Sequence, residues 1–141
     1  MMITVLIIVF VALLLFTVVI FARRMFKSLA GVTTSEKILI LTDQNFSGKI
    51  KKGMTLVDFY ATWCMPCKLM VPVLNEVAED MTGRVTIAKL DVDEAKETAS
   101  RFGVRSIPTM ILFKNGREIH RLVGVKSKEQ IRKALELRSH L

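Results

Sequence analysis

The sequence predicts an α/β domain carried behind a single membrane-spanning helix, and three observations lead there. Ile3 to Ala22 reads ITVLIIVFVALLLFTVVIFA, with no charge, Pro or Gly and only Thr4 and Thr17 as polar side chains. From Lys37 onward, short apolar runs alternate with stretches of helical periodicity, the pattern of strands and helices in turn. The chain's two cysteines, Cys64 and Cys67, stand at one of the strand-to-helix junctions. At 141 residues there is room for one ordinary core, which excludes an enzyme of two separate domains. About a third of the residues behind the 51% hydrophobic content fall within Met1 to Ala30, and the residues after it have the composition of a water-soluble domain.

About 20 helical residues at about 1.5 Å each cross a hydrocarbon core of about 30 Å, and Thr hydroxyls can bond back to the helix's own carbonyls. A buried core helix of this length would leave too few residues to cover it. A cleaved signal peptide finds small residues at Ser28, Leu29 and Ala30. Against it, the stretch is longer than the usual apolar region, no positive residue precedes it, and Arg23, Arg24 and Lys27 follow it before the cleavage point. The segment is read as a retained anchor, residues 1–28 with its basic flank, and LAGVTTS at 29–35 as a linker. Basic residues resist translocation, so the bulk of the protein is expected on the cytoplasmic side; the opposite, extracytoplasmic sense is the alternative.

Ile38 to Leu41 is a short apolar run, and Thr42 or Asp43 can cap a brief helix carrying Phe46 and Ile50. Met54 to Tyr60 is apolar on both faces, as a central, doubly covered strand is. A helix is expected from Cys64 to Thr82, with Leu69, Met70, Val73, Leu74, Val77 and Met81 at helical spacing and Gly83 as its stop. Pro72 inside it costs about 3 kcal/mol that packing must offset. Val85 to Asp91 is a third strand, parallel to the second through a right-handed crossover, and Glu94 to Phe102 a short helix. Thr109 to Lys114 and Glu118 to Val123 flank Asn115 and Gly116, a tight-hairpin dipeptide. A last helix opens at Ser127 with Gln130 in a capping box and buries Ile131, Ala134 and Leu135.

The position of Trp63-Cys64-Met65-Pro66-Cys67-Lys68 between strand and helix gives the cysteines their meaning. Unpaired backbone donors and the positive helix end stabilise a thiolate at Cys64. Cys67, one turn on, is the thiol that can reach it. The resulting chemistry is disulfide exchange, in which Cys64 attacks, a mixed disulfide forms and Cys67 resolves it, with no cofactor required. A static bridge over so short a loop would add little stability. A zinc site would need His120 and His140, which are distant in sequence and not spaced as a ligand pair.

VDFYATWCMPCK resembles the active-site segment of the thioredoxin family. Pro72, LDVDE at 90–94, Ser106-Ile107-Pro108-Thr109, Gly116 and Gly124 extend the likeness over about Glu36 to Leu141. It implies the thioredoxin fold, a central mixed sheet flanked by helices, and a protein-disulfide reductase. It assigns Asp58 as the buried acid that exchanges a proton with Cys67, a role burial suits by raising a carboxyl's pKa. Lys89 matches a lysine near that acid, and Pro108 a cis-proline that turns the backbone at Ile107 toward an extended substrate. Trp63, Met65 and Pro66 belong to the same docking surface. Met65 replaces the glycine most common between the cysteines, and Tyr60 stands where many members have tryptophan.

The implied partners are disulfide-containing proteins, a thioredoxin reductase or membrane electron donor, and the lipid bilayer, with the protein acting as a monomer. A redox-inactive binding module on the same fold is the rival class. Net charge is +8, about +5 without the anchor flank. Scattered Lys and Arg, with aromatics confined to apolar runs, argue against nucleic acid. The charge suits an anionic leaflet or acidic proteins, with Lys126, Lys128, Arg132, Lys133 and Arg138 of the final helix as a candidate face.

Overall fold

The computed structural model describes residues 2–30 and 33–139, and the chain divides into two compact units, Met1–Val32 and Thr33–Leu141. His140, and Gly31 and Val32 of the expected linker, lie outside the described residues. The first unit is a single helix, α1 (Met2–Ala30). No helix breaker precedes Gly31, so the helix continues through the basic flank into Leu29 and Ala30, where a linker was expected. Thr17 donates to the Leu14 carbonyl at 2.8 Å. The described α1 side chains are exposed, so this is not a core helix, and Val5–Arg24 is long and apolar enough to cross a membrane.

The second unit runs β1 (Leu39–Leu41), α2 (Phe46–Ile50), β2 (Met54–Tyr60), α3 (Met65–Asp80), β3 (Thr86–Asp91), α4 (Lys96–Arg101), β4 (Thr109–Lys114), β5 (Arg117–Val123) and α5 (Lys128–Ser139). The five strands form one mixed sheet in the order β1-β3-β2-β4-β5. β1, β3 and β2 are parallel, while β4 is antiparallel to β2 and to β5. This is the thioredoxin fold that the sequence predicts, with β2 in the middle of the sheet.

Strand alternation sorts the core into two layers. Leu56, Ile87, Met110 and Leu112 meet Met70, Leu74 and Val77 of α3, Met81 at its C-cap, and Ile131 and Leu135 of α5. Val57, Phe59, Leu90, Ile111 and Phe113 meet Phe46 and Ile50 of α2 and Ala99 of α4. The second layer is an aromatic cluster in which the Phe113 ring lies edge-on to Phe46 at 5.5 Å and to Phe102 at 5.0 Å, a favoured arrangement.

Local devices hold the ends. Asn115 and Gly116 take φ of 51° and 83°, as a type I′ turn demands. Ser127 and Gln130 bond reciprocally, Ser127 N to Gln130 Oε1 at 2.9 Å and Gln130 N to Ser127 Oγ at 3.3 Å. α3 passes through Pro72 and ends at Asp80, two residues short of the expected Thr82, with Gly83 at φ 79° in the turn beyond.

Two expectations are corrected. Leu69 is 45% exposed, because the buried stripe of α3 runs Met70, Leu74, Val77, Met81 and leaves Leu69 off the core-facing side. Asp43 does not cap α2. Asn45 is its N-cap, without a side-chain capping bond, and Thr42 steadies the turn into it, its Oγ1 accepting from Asn45 N–H at 3.4 Å and its N–H donating to Asn45 Oδ1 at 2.9 Å; the Asp43 carboxylate instead accepts from Thr98 N at 2.8 Å and Thr98 Oγ1 at 2.6 Å, serving the first turn of α4. On the final helix Lys128 pairs with Glu76 and Asp80, and Arg132 with Glu136, while Lys126, Lys133 and Arg138 of the candidate face join no ion pair among the described residues.

Replacing Phe113 by Ala is expected to lower the unfolding free energy by about 3 to 5 kcal/mol. Leu69→Ala should change it by less than about 1 kcal/mol. Urea unfolding of both variants checks the pair.

Candidate active site

β2 carries the chain to the rim of the sheet, where Ala61, Thr62 and Trp63 turn it into α3. Cys64 N–H donates to the Ala61 carbonyl at 3.1 Å. Cys64 is the N-cap of α3, with φ −76° and ψ 104°, and not its first helical residue. That places its sulfur where a capping oxygen would sit, and Sγ accepts from Cys67 N–H at 3.2 Å. Pro66 falls in the first turn, where its missing N–H forfeits no helix bond. Cys64 and Cys67 are joined as a disulfide with their Cα atoms 5.3 Å apart, and both are buried.

Ala61, Tyr60, Val92 and Ile107 pack around the pair. The Ile107–Pro108 bond is cis, Pro108 is buried, and its carbonyl accepts from Gly124 N–H at 2.8 Å. In front of this layer Trp63 and Met65 are 68% and 51% exposed, and Pro66 is exposed too. Val123, opposite Thr109 in the ladder, continues the apolar surface beside the cis bond. The Trp63 indole N–H donates to Asp93 Oδ2 at 2.7 Å. Asp93 itself follows the end of β3, and its own N–H is held by Asp91 Oδ1 at 2.9 Å. Sequence reading missed Asp93; the acidic run after the third strand was its only trace.

Asp58 lies mid-strand on the sheet face covered by α3, between Lys89 and Met110 in the two ladders. It is fully buried and neither carboxyl oxygen has a hydrogen-bond partner. Burial pushes its pKa up to about 7, with the charge of Lys89 opposing the rise. Lys89 is itself buried, not an exposed strand lysine. It forms no ion pair among the described residues; its Nζ sits 4.0 Å from the centre of the Tyr60 ring, a cation–π contact. Burial holds its pKa below the ordinary lysine value, with the charge of Asp58 pulling the other way. Tyr60, Cys67, Lys68, Val71 and Lys89 line a pocket of about 200 Å³.

The fold thus gathers Trp63, Cys64, Met65, Pro66, Cys67 and the Ile107–Pro108 bond at one rim, with Lys89 on the pocket that Cys67 lines and Asp58 opposite Lys89 in the ladder. His120 is half-buried on β5, its pKa lowered by burial. Among the described residues no group of three or more His, Cys, Asp or Glu could hold a metal ion.

A redox pair of cysteines at a helix N-terminus, on the rim of this mixed sheet and packed against the residue before a cis-proline, defines a thiol–disulfide oxidoreductase. The thioredoxin family model matches residues 37–137, and the chain belongs to the thioredoxin family. It is 50% identical over 99 residues to a thioredoxin of Staphylococcus saprophyticus, covering 70% of this chain and 95% of the relative. A thioredoxin of Staphylococcus haemolyticus matches equally, at 50% over 99 residues with the same coverage. One of Staphylococcus aureus is 48% identical over 99 residues, again 70% of this chain and 95% of the relative.

The raised Asp58 pKa has a stability consequence with a definite sign. Between its ordinary value of 3.8 and about 7, the unfolded chain ionises this group while the folded protein keeps it protonated. Stability from this group is therefore full below about pH 4, falls as pH rises to about 7, and is flat above, an effect on the order of 4 kcal/mol. Urea unfolding of the oxidised protein from pH 4 to 9 should show the decline, and Asp58→Asn should remove it.

Proposed function

We propose that the protein reduces disulfides in other proteins through the Cys64/Cys67 dithiol while tethered to a membrane by α1. The observation that carries the chemistry is Cys64 as N-cap of α3, its sulfur accepting from Cys67 N–H. The same bond, and the positive end of a 16-residue helix, favour a thiolate once the pair is reduced. The Cys64 thiolate attacks one sulfur of a substrate disulfide and expels the other as a thiolate. Cys67 then loses its proton and attacks Cys64 sulfur, releasing the second substrate thiol and closing the Cys64–Cys67 bridge. Two electrons pass to the substrate.

Asp58 serves the second step. A carboxyl titrating near 7, with unpartnered oxygens on the face toward α3, can take the Cys67 proton at neutral pH. Lys89, parked on the Tyr60 ring, leaves that carboxyl unpaired and acts on it through its charge alone. Substrate docks on Trp63, Met65 and Pro66 and on the backbone at Ile107 beside Pro108, where an extended segment can add hydrogen bonds as a strand does. Reducing equivalents come from a thioredoxin reductase or a membrane electron donor.

The tether follows from the length and composition of Val5–Arg24. Arg23, Arg24 and Lys27 flank it at its carboxyl end and favour a cytoplasmic domain. An impermeant thiol reagent should label reduced Cys64 only after the membrane is opened; labelling of intact cells would place the domain outside.

Cys64→Ser should abolish reduction of a protein disulfide such as that of insulin. Cys67→Ser should retain the first attack and accumulate a covalent mixed disulfide, visible on a non-reducing gel. A phenotype untouched by replacing both cysteines would show instead that the fold serves only as a binding module.

A further inference from the structure

At the end of the sheet opposite the cysteines, the described surface carries an unneutralised cluster of cations. Lys49, Lys51 and Lys52 lie where α2 leads into β2, and Lys114 and Arg117 flank the Asn115–Gly116 turn. All but the half-buried Lys114 are exposed. The two segments are bonded together. Gly116 N–H donates to the Ile50 carbonyl and Asn115 N–H to the Gly53 carbonyl, each at 2.9 Å, and Gly53 N–H donates to Asn115 Oδ1 at 3.0 Å. The ladders set Met54 opposite Lys114 and Lys114 opposite Arg117.

No carboxylate occurs in residues 44–57 or 109–117, and none of the five cations joins an ion pair among the described residues. Glu118, next in sequence, is taken by Arg121, with contacts of 2.9 Å from both Nε and a terminal nitrogen. On α5, by contrast, Lys128 and Arg132 are spent on carboxylates of the same domain, and Glu129 and Glu136 stand in sequence among its remaining cations, Lys133 and Arg138.

We propose that this pole is a docking surface for anionic phospholipid headgroups, which seats the domain on the bilayer with the disulfide turned away from it. The seven residues of β2, at about 3.3 Å each, put roughly 20 Å between the pole and the strand end that leads to Cys64. Charge alone suffices for such a surface. A single-stranded nucleic acid would want exposed aromatics to stack on, and the aromatics of these two segments, Phe46 and Phe113, are buried. The biological use of the pole rests on reading α1 as a retained membrane helix; the lipid binding does not.

The test uses residues 33–141, a compact unit in a chain whose match spans 95% of the length of a relative, so this part is close to a whole protein. It is sedimented with phosphatidylcholine vesicles with and without one-third phosphatidylglycerol, at low salt. Binding is expected to the anionic vesicles alone and to be lost in 0.5 M NaCl. Lys51→Glu, Lys52→Glu and Arg117→Glu together should weaken it by about 100-fold or more, at about fivefold per charge removed, while insulin reduction in solution persists. The same charge change at the other end of the charge distribution, by Lys126→Glu just before α5 and Lys133→Glu and Arg138→Glu on it, should weaken it far less. Equal loss in both triple variants, equal binding to neutral vesicles, or displacement of the domain from the vesicles by single-stranded RNA at matched charge would overturn the proposal. Carbonate extraction of the full chain tests α1 separately. Release of a shortened chain would refute the tether and leave the vesicle result standing.

Discussion

The junction between β2 and α3 is the constraint on which the rest of the structure depends. A helix N-terminus leaves backbone donors unpaired, and here the cap position is filled by a sulfur instead of a hydroxyl or carboxylate. Cys67 N–H is already aimed at Cys64 Sγ in the oxidised protein, so the donor that would stabilise a thiolate is in place before reduction. Holding that donor still requires a rigid helix, and α3 is rigid because Met70, Leu74, Val77 and Met81 lock it to the sheet. The central place of β2, bonded on both edges, fixes where the helix begins.

Two further demands arise from the same junction. In the proposed exchange the resolving thiol loses a proton in a buried place, and a carboxyl can accept it only if its own pKa is near neutral. Asp58 meets this because it is buried without hydrogen bonds, and because Lys89 is drawn onto the Tyr60 ring instead of into an ion pair. The arrangement is costly to the fold, as an unpartnered buried carboxyl always is, and the two hydrophobic layers above and below the sheet offset it. Substrate access is the second demand. Trp63 is held outward by Asp93, which lets a large apolar ring stay exposed beside the cysteines without collapsing onto them.

Much of this was legible in the residues because it is local. The strand-to-helix position of the cysteines, the Asn115–Gly116 turn and the Ser127/Gln130 box are set by neighbours within four residues, and sequence spacing reports such neighbours. What escaped is long-range. Asp43 reads as a cap for the helix just after it and serves instead the helix 55 residues on, since tertiary approach decides which donors a carboxylate meets. Leu69 fits a helical period yet faces water, because periodicity finds a stripe without saying which side of it meets the sheet. The Lys89–Tyr60 contact and the Trp63–Asp93 bond join different strands and turns. The pairing of Lys128 and Arg132 on α5, and the lack of ion pairs among the described residues for the cations beside the hairpin, likewise required three dimensions.

The central claim is that the cap position makes Cys64 the reactive sulfur and leaves Cys67 protonated behind it. Its most direct test is alkylation of the reduced protein with iodoacetamide near pH 6, more than two units below an ordinary thiol pKa of about 8.5, with each cysteine followed by mass spectrometry. The account predicts fast modification of Cys64 and little at Cys67. Equal rates at the two cysteines, or reaction at Cys64 that begins only near pH 8.5, would contradict it.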